Sequence, residues 1–582
     1  MFAHATTTAR VPRLHEMFCN EIQCGRTNQD GRRTLKAATK KKPAATRIPA
    51  NTASGASRGP LKPRIDLSPY FPAQWWLTCT VKILIVTDSS GGFDPAIGFH
   101  LGTILNVLAD DPWSHVSFSI TKAHRGVEAS ADINNFDFNT HNLAQYSQIW
   151  LFGIETASGA LSQPELRKLA EFMDGGGGVF ATGDHQNLGQ AMCAEVPRVR
   201  SMRRWYFPNP GPNGEPVAPD QTGPDRHDTV MDTDPGTPGL QGSQSDKVPQ
   251  PVRPRYYTRI AGTGIIKRLH KFPHPVLCGP DGVITYLPDH MHEGLCEVPA
   301  NLGNSFTFNG YHTVEYPAPG GTQERPEVIA WATTRNTTNA EFGVLAAYDG
   351  HRAGGIGRVV VDATWHHWFN INLVGFVNAT DPGHLSYDPA VIPKWESIKA
   401  YFRNVALWLA RPTLQDCLRN GGWLIAIKYY DIQITARDLN LVPDVLTYYW
   451  QLGVFARDAM GRLASQCQTT RWILDWIDWL PWRFDPWPPI RKEPLPDPPS
   501  WLPAQDLETV AMGGAIHALT QAFGREQDPG VILSKDAKKV EHVARQGAAA
   551  AIEAIARHYA SAAKQAEKLA DRAAEKAPKG RP

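Results

Sequence analysis

The sequence has no long apolar run, few cysteines and no strong net charge, and each absence excludes a class of protein. No stretch of about 18 uncharged apolar residues occurs, so we expect no membrane-spanning helix. Eight cysteines in 582 residues are too few and too scattered for a disulfide scaffold, and we expect reduced, buried or incidental thiols. These features predict a cytoplasmic protein that does not enter membranes.

The formal net charge of +2 conceals an uneven distribution of charge along the chain. Residues 1–80 contain 13 Lys and Arg against 4 Asp and Glu, whereas the other residues contain 46 against 53. A mildly acidic body is not typical of a dedicated nucleic-acid binder, which usually presents a basic face. We therefore expect a small-molecule substrate rather than nucleic acid.

The basic segment 1–80 has no apolar periodicity, and we expect it to be disordered. Its Lys40–Lys42 run is typical of a localisation or polyanion-binding element, and the whole segment is also compatible with an organelle leader or a solvated tail. A further alternative is that translation begins at Val81, where the first predicted strand starts, and that 1–80 is an over-extended reading frame. All four interpretations are open.

From Val81 onward, apolar strand signals alternate with amphipathic helix signals. The first four predicted strands are 81–88, 115–123, 147–155 and 178–185. Asp94 and Pro95 are typical of a helix start, and Ser162 with Glu165 forms a capping-box pattern before a second helix. Strand–helix units of this length predict an α/β fold with a doubly wound, mostly parallel sheet.

The pattern also predicts the division of the chain. The α/β domain is predicted over 81–380, and a Pro-, Gly- and Asp-rich stretch at 208–254 is predicted to be a loop insertion within it. Further strands are predicted at 282–290, 326–334, 342–350 and 357–367. The remaining segments are a helical extension at 381–480, a Pro-rich linker at 481–503 and Ala-rich helices at 504–582. If the protein forms a homo-oligomer or binds a protein partner, we expect the contact to be made by this C-terminal third.

Charged and imidazole side chains follow the predicted strands, where an open parallel sheet binds its ligands. The predicted catalytic residues are Asp184, His185, His366 and His367. The predicted substrate-binding residues at strand ends are Asp88, Ser89 and Glu155. We expect these side chains to share one edge of the sheet.

The segment Asp289–Glu293 has the composition of a metal site. In an extended chain His290 and His292 point to the same face, and imidazole with carboxylate suits Zn, Mn or Fe. A bound divalent ion would lower the pKa of its water to about 7 and supply a hydrolytic nucleophile. The predicted ligands are Asp289, His290, His292 and Glu293; the alternative is that Asp–His pairs hold loop backbones.

A nucleophilic mechanism is not favoured, because the turn at 182–185 contains neither Ser nor Cys. Cys193 follows in a helical stretch, where we expect a structural role. The arginines Arg198, Arg200 and Arg203 could hold a carboxylate or phosphate group of the substrate. Equally, they could form ion pairs with acidic residues of the insertion, such as Asp225 and Asp228.

Four segments together resemble the class I glutamine-amidotransferase-like superfamily, and within it they are most similar to ThuA-like proteins. They are VKILIVTD at 81–88, SQIWLFG at 147–153, GGGGVFATGDH at 175–185 and GRVVVDATWHH at 357–367. The resemblance covers about 81–376 and implies a flavodoxin-like sheet with a final hairpin, whose last strand delivers a histidine to the site. By motif position this histidine is His366 or His367.

The resemblance also limits the reaction. ThuA-like proteins lack the amidotransferase cysteine, and so does the turn at 183–185, so we do not expect a functional glutamine amidotransferase. The insertion, the 289–294 segment and everything beyond about residue 380 have no counterpart in the resemblance. Our first hypothesis is a hydrolase, with or without a metal, that acts on a small polar or sugar-derived substrate; the alternative is a non-catalytic binding or scaffold protein.

Overall fold

The computed structural model describes most of the chain beyond residue 78. The described residues are 79–88, 91–94, 99–109, 116–185, 187–205, 249–261, 268–279, 282–288, 293–321, 323–334, 340–374, 392–436, 439–463, 504–523 and 529–576. All of them belong to one compact unit that spans 63–582. The predictions for the leader 1–78, for most of the 208–254 insertion and for the linker 481–503 fall outside the described residues.

An eight-stranded, mostly parallel sheet forms the centre of the described structure. Its strands are β1 (Cys79–Thr87), β2 (Val116–His124), β3 (Gln148–Phe152), β4 (Gly178–Thr182), β5 (Arg253–Pro254), β6 (Glu327–Thr333), β7 (Glu341–Tyr348) and β8 (Val359–Asp362). They are ordered β2-β1-β3-β4-β8-β7-β6-β5. The first five in this order pair in parallel and the remaining pairs are antiparallel. The predicted α/β class is confirmed.

The buried strands follow from the apolar runs of the sequence. Every side chain of β3, β4 and β8 is buried, as expected for strands covered on both faces. The single strand predicted over 282–290 is wrong: the chain forms two short strands, Gly282–Val283 and Tyr286–Leu287, because each pairs with a different partner segment. The other two-residue to six-residue strands outside the central sheet are Gln250–Pro251, Tyr256–Ala261, Arg268–Pro273, Cys278–Gly279, Ser305–Phe308 and Tyr311–Val314.

Helices cover the sheet and continue into the C-terminal part. They are α1 (Gly102–Ala109), α2 (Gln163–Asp174), α3 (Gln190–Cys193), α4 (Val199–Met202), α5 (Asn370–Val374), α6 (Ile392–Leu409), α7 (Pro412–Ala426), α8 (Tyr430–Thr435), α9 (Val445–Leu463), α10 (Ala504–Phe523) and α11 (Pro529–Lys576). Short 3₁₀ turns lie at Leu143–Gln145, Pro275–Leu277, Pro319–Gly321, Gly350–Arg352, Trp365–His367 and Leu439–Leu441. Of the helices described, none combines the length and the apolar character needed to cross a bilayer.

Two predicted helix starts have different outcomes. The capping box at Ser162 and Glu165 is confirmed at the start of α2, where the Glu165 carboxylate accepts the Ser162 backbone N–H at 2.9 Å. The start predicted at Asp94 stays a prediction, because residues 95–98 lie outside the described residues; the described helix α1 begins at Gly102. Before it, Gly92 donates to Phe99 O at 3.2 Å and accepts from Leu101 N at 3.1 Å.

Glycines set the close packing of the C-terminal helices. A Cβ atom at Gly513 of α10 would collide with the carbonyl oxygen of Tyr449 on α9, and one at Gly453 would collide with Thr509 O. On its other side α10 packs against α11, where Gly514 faces Gly547 in the same way. These helices therefore approach backbone to backbone, and α7 joins them through its own contacts with α11.

A disulfide between Cys79 and Cys417 connects the first residue of β1 to α7, across 338 positions of sequence. The expectation of reduced, buried or incidental thiols is wrong for this pair; among the other described cysteines, Cys193, Cys278 and Cys296 are free and buried. Sequence spacing did not reveal the bond, because the fold alone brings the two residues together. The cytoplasmic location stays a prediction.

We predict that the bond stabilises the attachment of α7 to the sheet. A disulfide that closes a long loop typically contributes about 2–5 kcal/mol to the free energy of unfolding. A C79S/C417S variant should therefore unfold at lower denaturant concentration than the wild type under oxidising conditions. Reductant should lower the wild-type midpoint and leave the variant unchanged; an unchanged wild-type midpoint would show that the bond does not form or does not stabilise.

Candidate functional site

The parallel strands end at the same level, and this brings several of the predicted site residues to one edge. In the register of the sheet, His124, Thr87, Phe152, Thr182 and Asp362 lie side by side across five strands. The segments that follow these residues therefore meet at the carboxyl edge, where ligands bind in open α/β sheets. β4 and β8 are neighbours, and their turns are connected because Trp365 N donates to Gly183 O at 2.8 Å.

Asp184 is shared between two imidazoles at this edge. Its Oδ2 lies 3.3 Å from His185 Nδ1 and 3.2 Å from His366 Nε2. On the far side of the second ring, His366 Nδ1 lies 2.8 Å from Asn372 Oδ1. The side chains of Asp184 and His366 are 0% and 2% exposed, whereas that of His185 is 14% exposed. Of the three, His185 is the one that reaches the surface.

His367 belongs to a separate, fully buried network. Its Nδ1 lies 2.8 Å from Asp362 Oδ1, and its Nε2 lies 3.3 Å from Gln250 Oε1 and 3.5 Å from Glu293 Oε1. Asp362 is also tied to the core, because its Oδ2 accepts from Trp368 Nε1 and from a buried tyrosine of α6, Tyr401, at 2.8 Å each. Adjacent histidines in the sequence thus have different surroundings.

The charge of this buried network is set by its carboxylates. Burial alone would lower the pKa of His367, but Asp362 and Glu293 outweigh that effect and raise the pKa to about 10. Burial raises the pKa of Glu293, with His367 opposing the shift. We infer an imidazolium at His367 at neutral pH, held chiefly by the shorter contact with Asp362.

This arrangement predicts a pH-dependent stability. The pKa of His367 is raised from 6.5 to about 10, so its contribution is fully present below 6.5 and is lost as the pH rises through 10. His367→Gln should cost about 3–5 kcal/mol at neutral pH, because Asp362 loses its buried counter-ion. The free energy of unfolding, measured in urea, should then fall less between neutral and alkaline pH in the variant than in the wild type.

The exposed His312 offers a matched control for that measurement. His312→Gln should leave both the stability and its pH dependence close to those of the wild type. Equal alkaline losses of stability in H367Q and in the wild type would contradict the inferred imidazolium.

Two of the predicted substrate-binding arginines are buried and bonded within the protein. Arg203 donates to the backbone oxygens of Asp184 and Ala363, and its guanidinium stacks over Trp205 at 4.4 Å. Arg198 is paired with Asp174 at 2.6 Å and donates to Glu315 O at 2.8 Å. Both side chains are 1% exposed or less. Arg203 therefore ties the β4 turn to the β8 turn from inside.

The third predicted arginine, Arg200, is partly exposed and lies over the Phe306 ring at 4.5 Å. The expected ion pairs with Asp225 and Asp228 fall outside the described residues. Cys193 is buried, and burial raises the pKa of its thiol, which agrees with the structural role expected for it.

Asp88 lies at the carboxyl end of β1 and reaches across to the segment after β3. Its Oδ2 accepts the backbone N–H groups of Ile154 at 2.7 Å and Glu155 at 2.8 Å. Burial raises the pKa of Asp88 to about 6, against the opposing effect of these two hydrogen bonds. Glu155 is partly exposed, and Ser89 lies outside the described residues.

The predicted metal ligands cannot be placed as a set. Asp289, His290 and His292 lie outside the described residues, and Glu293 faces His367 in the buried network. Within the described parts of the chain, no group of three or more His, Cys, Asp or Glu side chains is arranged to hold a metal ion. The metal site therefore stays a prediction.

Several residues that contact the site were not among the predicted site residues. Asn372 and Asp362 contact the two histidines, and Tyr401 and Gln250 reach the same region from distant parts of the chain. The position of Asp362 at the end of a predicted strand could have indicated it.

A scan of protein-family models and a search of curated proteins find no match to this chain.

Proposed function

We propose that this chain is a hydrolase whose reaction centre is the Asp184–His185 pair, with His366 as the buried support of Asp184. The observation that carries the proposal is one buried carboxylate shared by two imidazoles, of which His185 is partly exposed at the carboxyl edge. A carboxylate that holds an imidazole in one orientation is a recurrent device of general-base catalysis.

The contact with Asp184 favours the His185 tautomer that carries its proton on Nδ1. Nε2, on the opposite side of the ring, is then the basic nitrogen. In the proposed reaction Nε2 takes a proton from water as the water oxygen bonds to the electrophilic carbon of the substrate. The same imidazole returns the proton to the leaving group as its bond to that carbon breaks.

His366 and His367 are assigned different roles because their contacts differ. His366 is almost fully buried and lies between Asp184 and Asn372, so we assign it to orienting the carboxylate. His367 is bonded inside the core with Asp362, and we assign it to holding the end of β8. Neither role requires contact with substrate.

We also propose that residues 81–376 form a ThuA-like domain with a flavodoxin-like sheet. Support comes from the strand order β2-β1-β3-β4-β8 and from the antiparallel strands β6 and β7 that precede β8. The turn after β8 then carries a histidine that contacts the β4 turn, as the resemblance implies. A small polar or sugar-derived substrate is the class that this resemblance favours.

Two variants test the reaction centre. Asp184→Asn keeps the size of the side chain but removes the charge that orients the imidazole, and His185→Gln removes the base. Each should lower kcat/KM for small p-nitrophenyl esters by about 10²–10⁴-fold, the usual contribution of general-base catalysis. Release of p-nitrophenolate, followed by absorbance, measures the effect.

His312→Gln, an exposed histidine variant, should retain wild-type kcat/KM. The proposal fails if D184N and H185Q hydrolyse the esters as fast as H312Q does. Absence of hydrolysis by the wild type across esters, amides and glycosides would instead favour the non-catalytic binding or scaffold alternative.

Metal assistance is a separate prediction that rests on His290 and His292. Elemental analysis of the purified protein, before and after a His290→Ala/His292→Ala exchange, tests it directly. Stoichiometric Zn, Mn or Fe that is lost in the double variant would support metal assistance, and equal metal content in both proteins would contradict it.

A further inference from the structure

The carboxyl edge has a second polar position, two strands away from Asp184. β1 has β2 on one side and β3 on the other, so the chain winds in opposite directions from β1. Such a topological switch point forms a crevice at the strand ends. Asp88 spans it, since the carboxylate follows β1 and accepts both N–H groups from the segment after β3.

One oxygen of Asp88 is satisfied by these amides, and the other is not. Oδ1 is buried and has no hydrogen-bond partner among the residues that the structure describes. The whole residue is 3% exposed. A buried polar atom without a partner is costly, and native proteins rarely keep one unless a water or ligand bonds to it.

His100 presents a second unpartnered polar atom close to the same loop. It forms a bridge with Gly92, and its backbone oxygen accepts from Asn370 N at 2.8 Å. His100 Nδ1 accepts from Gly102 N at 3.0 Å, so the neutral ring carries its proton on Nε2. Burial lowers the pKa of His100 and keeps it neutral. Its Nε2 is buried and without a partner within the described ranges.

A third unpartnered atom is the indole nitrogen of Trp365, whose ring packs against Phe99 and His366. Trp365 packs 5.1 Å from Phe99 and 3.7 Å from His366, measured between ring centroids. Its Nε1 is buried with no acceptor in the described part of the chain. Phe369 contacts both Phe99 and Trp365, and a Cβ atom at Gly91 would touch Phe369, so the aromatic group adjoins the Asp88 loop.

We propose that this crevice binds the oxyanion group of a small ligand, a carboxylate or a phosphate-like group, through three donors. The donors are the protonated carboxyl of Asp88, the Nε2–H of His100 and the indole N–H of Trp365. An oxyanion accepts all three hydrogen bonds, and it satisfies atoms that the protein itself leaves without partners. In this proposal the three donors take the anion-binding role that the sequence predicted for the buried arginines Arg198 and Arg203.

The distance along the edge suits one small substrate. β1 and β4 are separated by β3, and strand spacing is about 4.8 Å, so the two positions lie roughly 10 Å apart. A ligand whose oxyanion is held at Asp88 can therefore present its reacting carbon near His185. This subsite adds to the proposed hydrolase site, but oxyanion binding itself requires no turnover.

Binding must be linked to proton uptake by Asp88. The charged and titratable groups that act on it are Glu155, which raises its pKa, His124, which lowers it, and the neutral thiol of Cys193. Because the pKa of Asp88 is about 6, the donor form is abundant below that pH and scarce well above it. An oxyanion should therefore bind more weakly as the pH rises from about 5.5 to about 8.

The Asp88→Asn variant distinguishes a role of Asp88 in oxyanion binding from a purely structural role. The amide oxygen can accept from Ile154 N and Glu155 N, and the amide N–H₂ then stands where protonated Oδ1–H would be. In the wild type, formate and sulfate, which stay ionised throughout this range, should bind at least about tenfold more tightly at the lower pH. In D88N the affinity should be independent of pH and exceed that of the wild type at pH 8.

The indole N–H resonance of Trp365, assigned with Trp365→Phe, reports binding by NMR titration. Asp132→Asn, an exposed position, should titrate like the wild type, and His100→Ala should weaken binding at both pH values. Preference for formate would identify a carboxylate site, and preference for sulfate a phosphate-like site. No binding of either anion, or identical pH dependence in D88N and D132N, would overturn the inference even if the ester hydrolysis is confirmed.

Discussion

The parallel pairing of β4 with β8 is the contact on which the rest of the site depends. It sets Thr182 opposite Asp362, so that the turn carrying Asp184 lies beside the turn carrying two histidines. Arg203 reinforces the pairing by donating to a backbone oxygen of each turn. If the register moved by one residue, the alternating side chains of β8 would exchange faces and Asp362 would leave its partners.

Burial of charge is the second constraint, and it explains why each of the buried carboxylates at this edge lies beside a histidine. Asp184, Asp362 and Glu293 are each fully buried, and each lies within 3.5 Å of an imidazole nitrogen. An isolated carboxylate in such surroundings would be protonated or would destabilise the fold. The histidines are therefore part of the stability of this edge as well as of its chemistry.

The sequence predicted the parts that depend on local pattern. Continuous apolar runs marked β1, β3, β4 and β8, and polar residues directly after them marked the edge where Asp184 and His366 meet. It did not predict contacts made over long separations, such as Tyr401 with Asp362 or Cys79 with Cys417. Such contacts depend on how helices dock on the sheet, for which neither composition nor periodicity carries a signal.

The choice between His366 and His367 shows the same limit within two adjacent residues. Both follow β8, and no periodicity separates them in the sequence. In the 3₁₀ turn Trp365–His367, successive side chains diverge by roughly 120°, because such a turn has about three residues per revolution. One imidazole is thus directed to Asp184 of the neighbouring turn and the next to Asp362 of the strand itself. The turn, and not the residue type, thus sets their partners: His366 joins the partly exposed Asp184–His185 pair, and His367 joins the buried core.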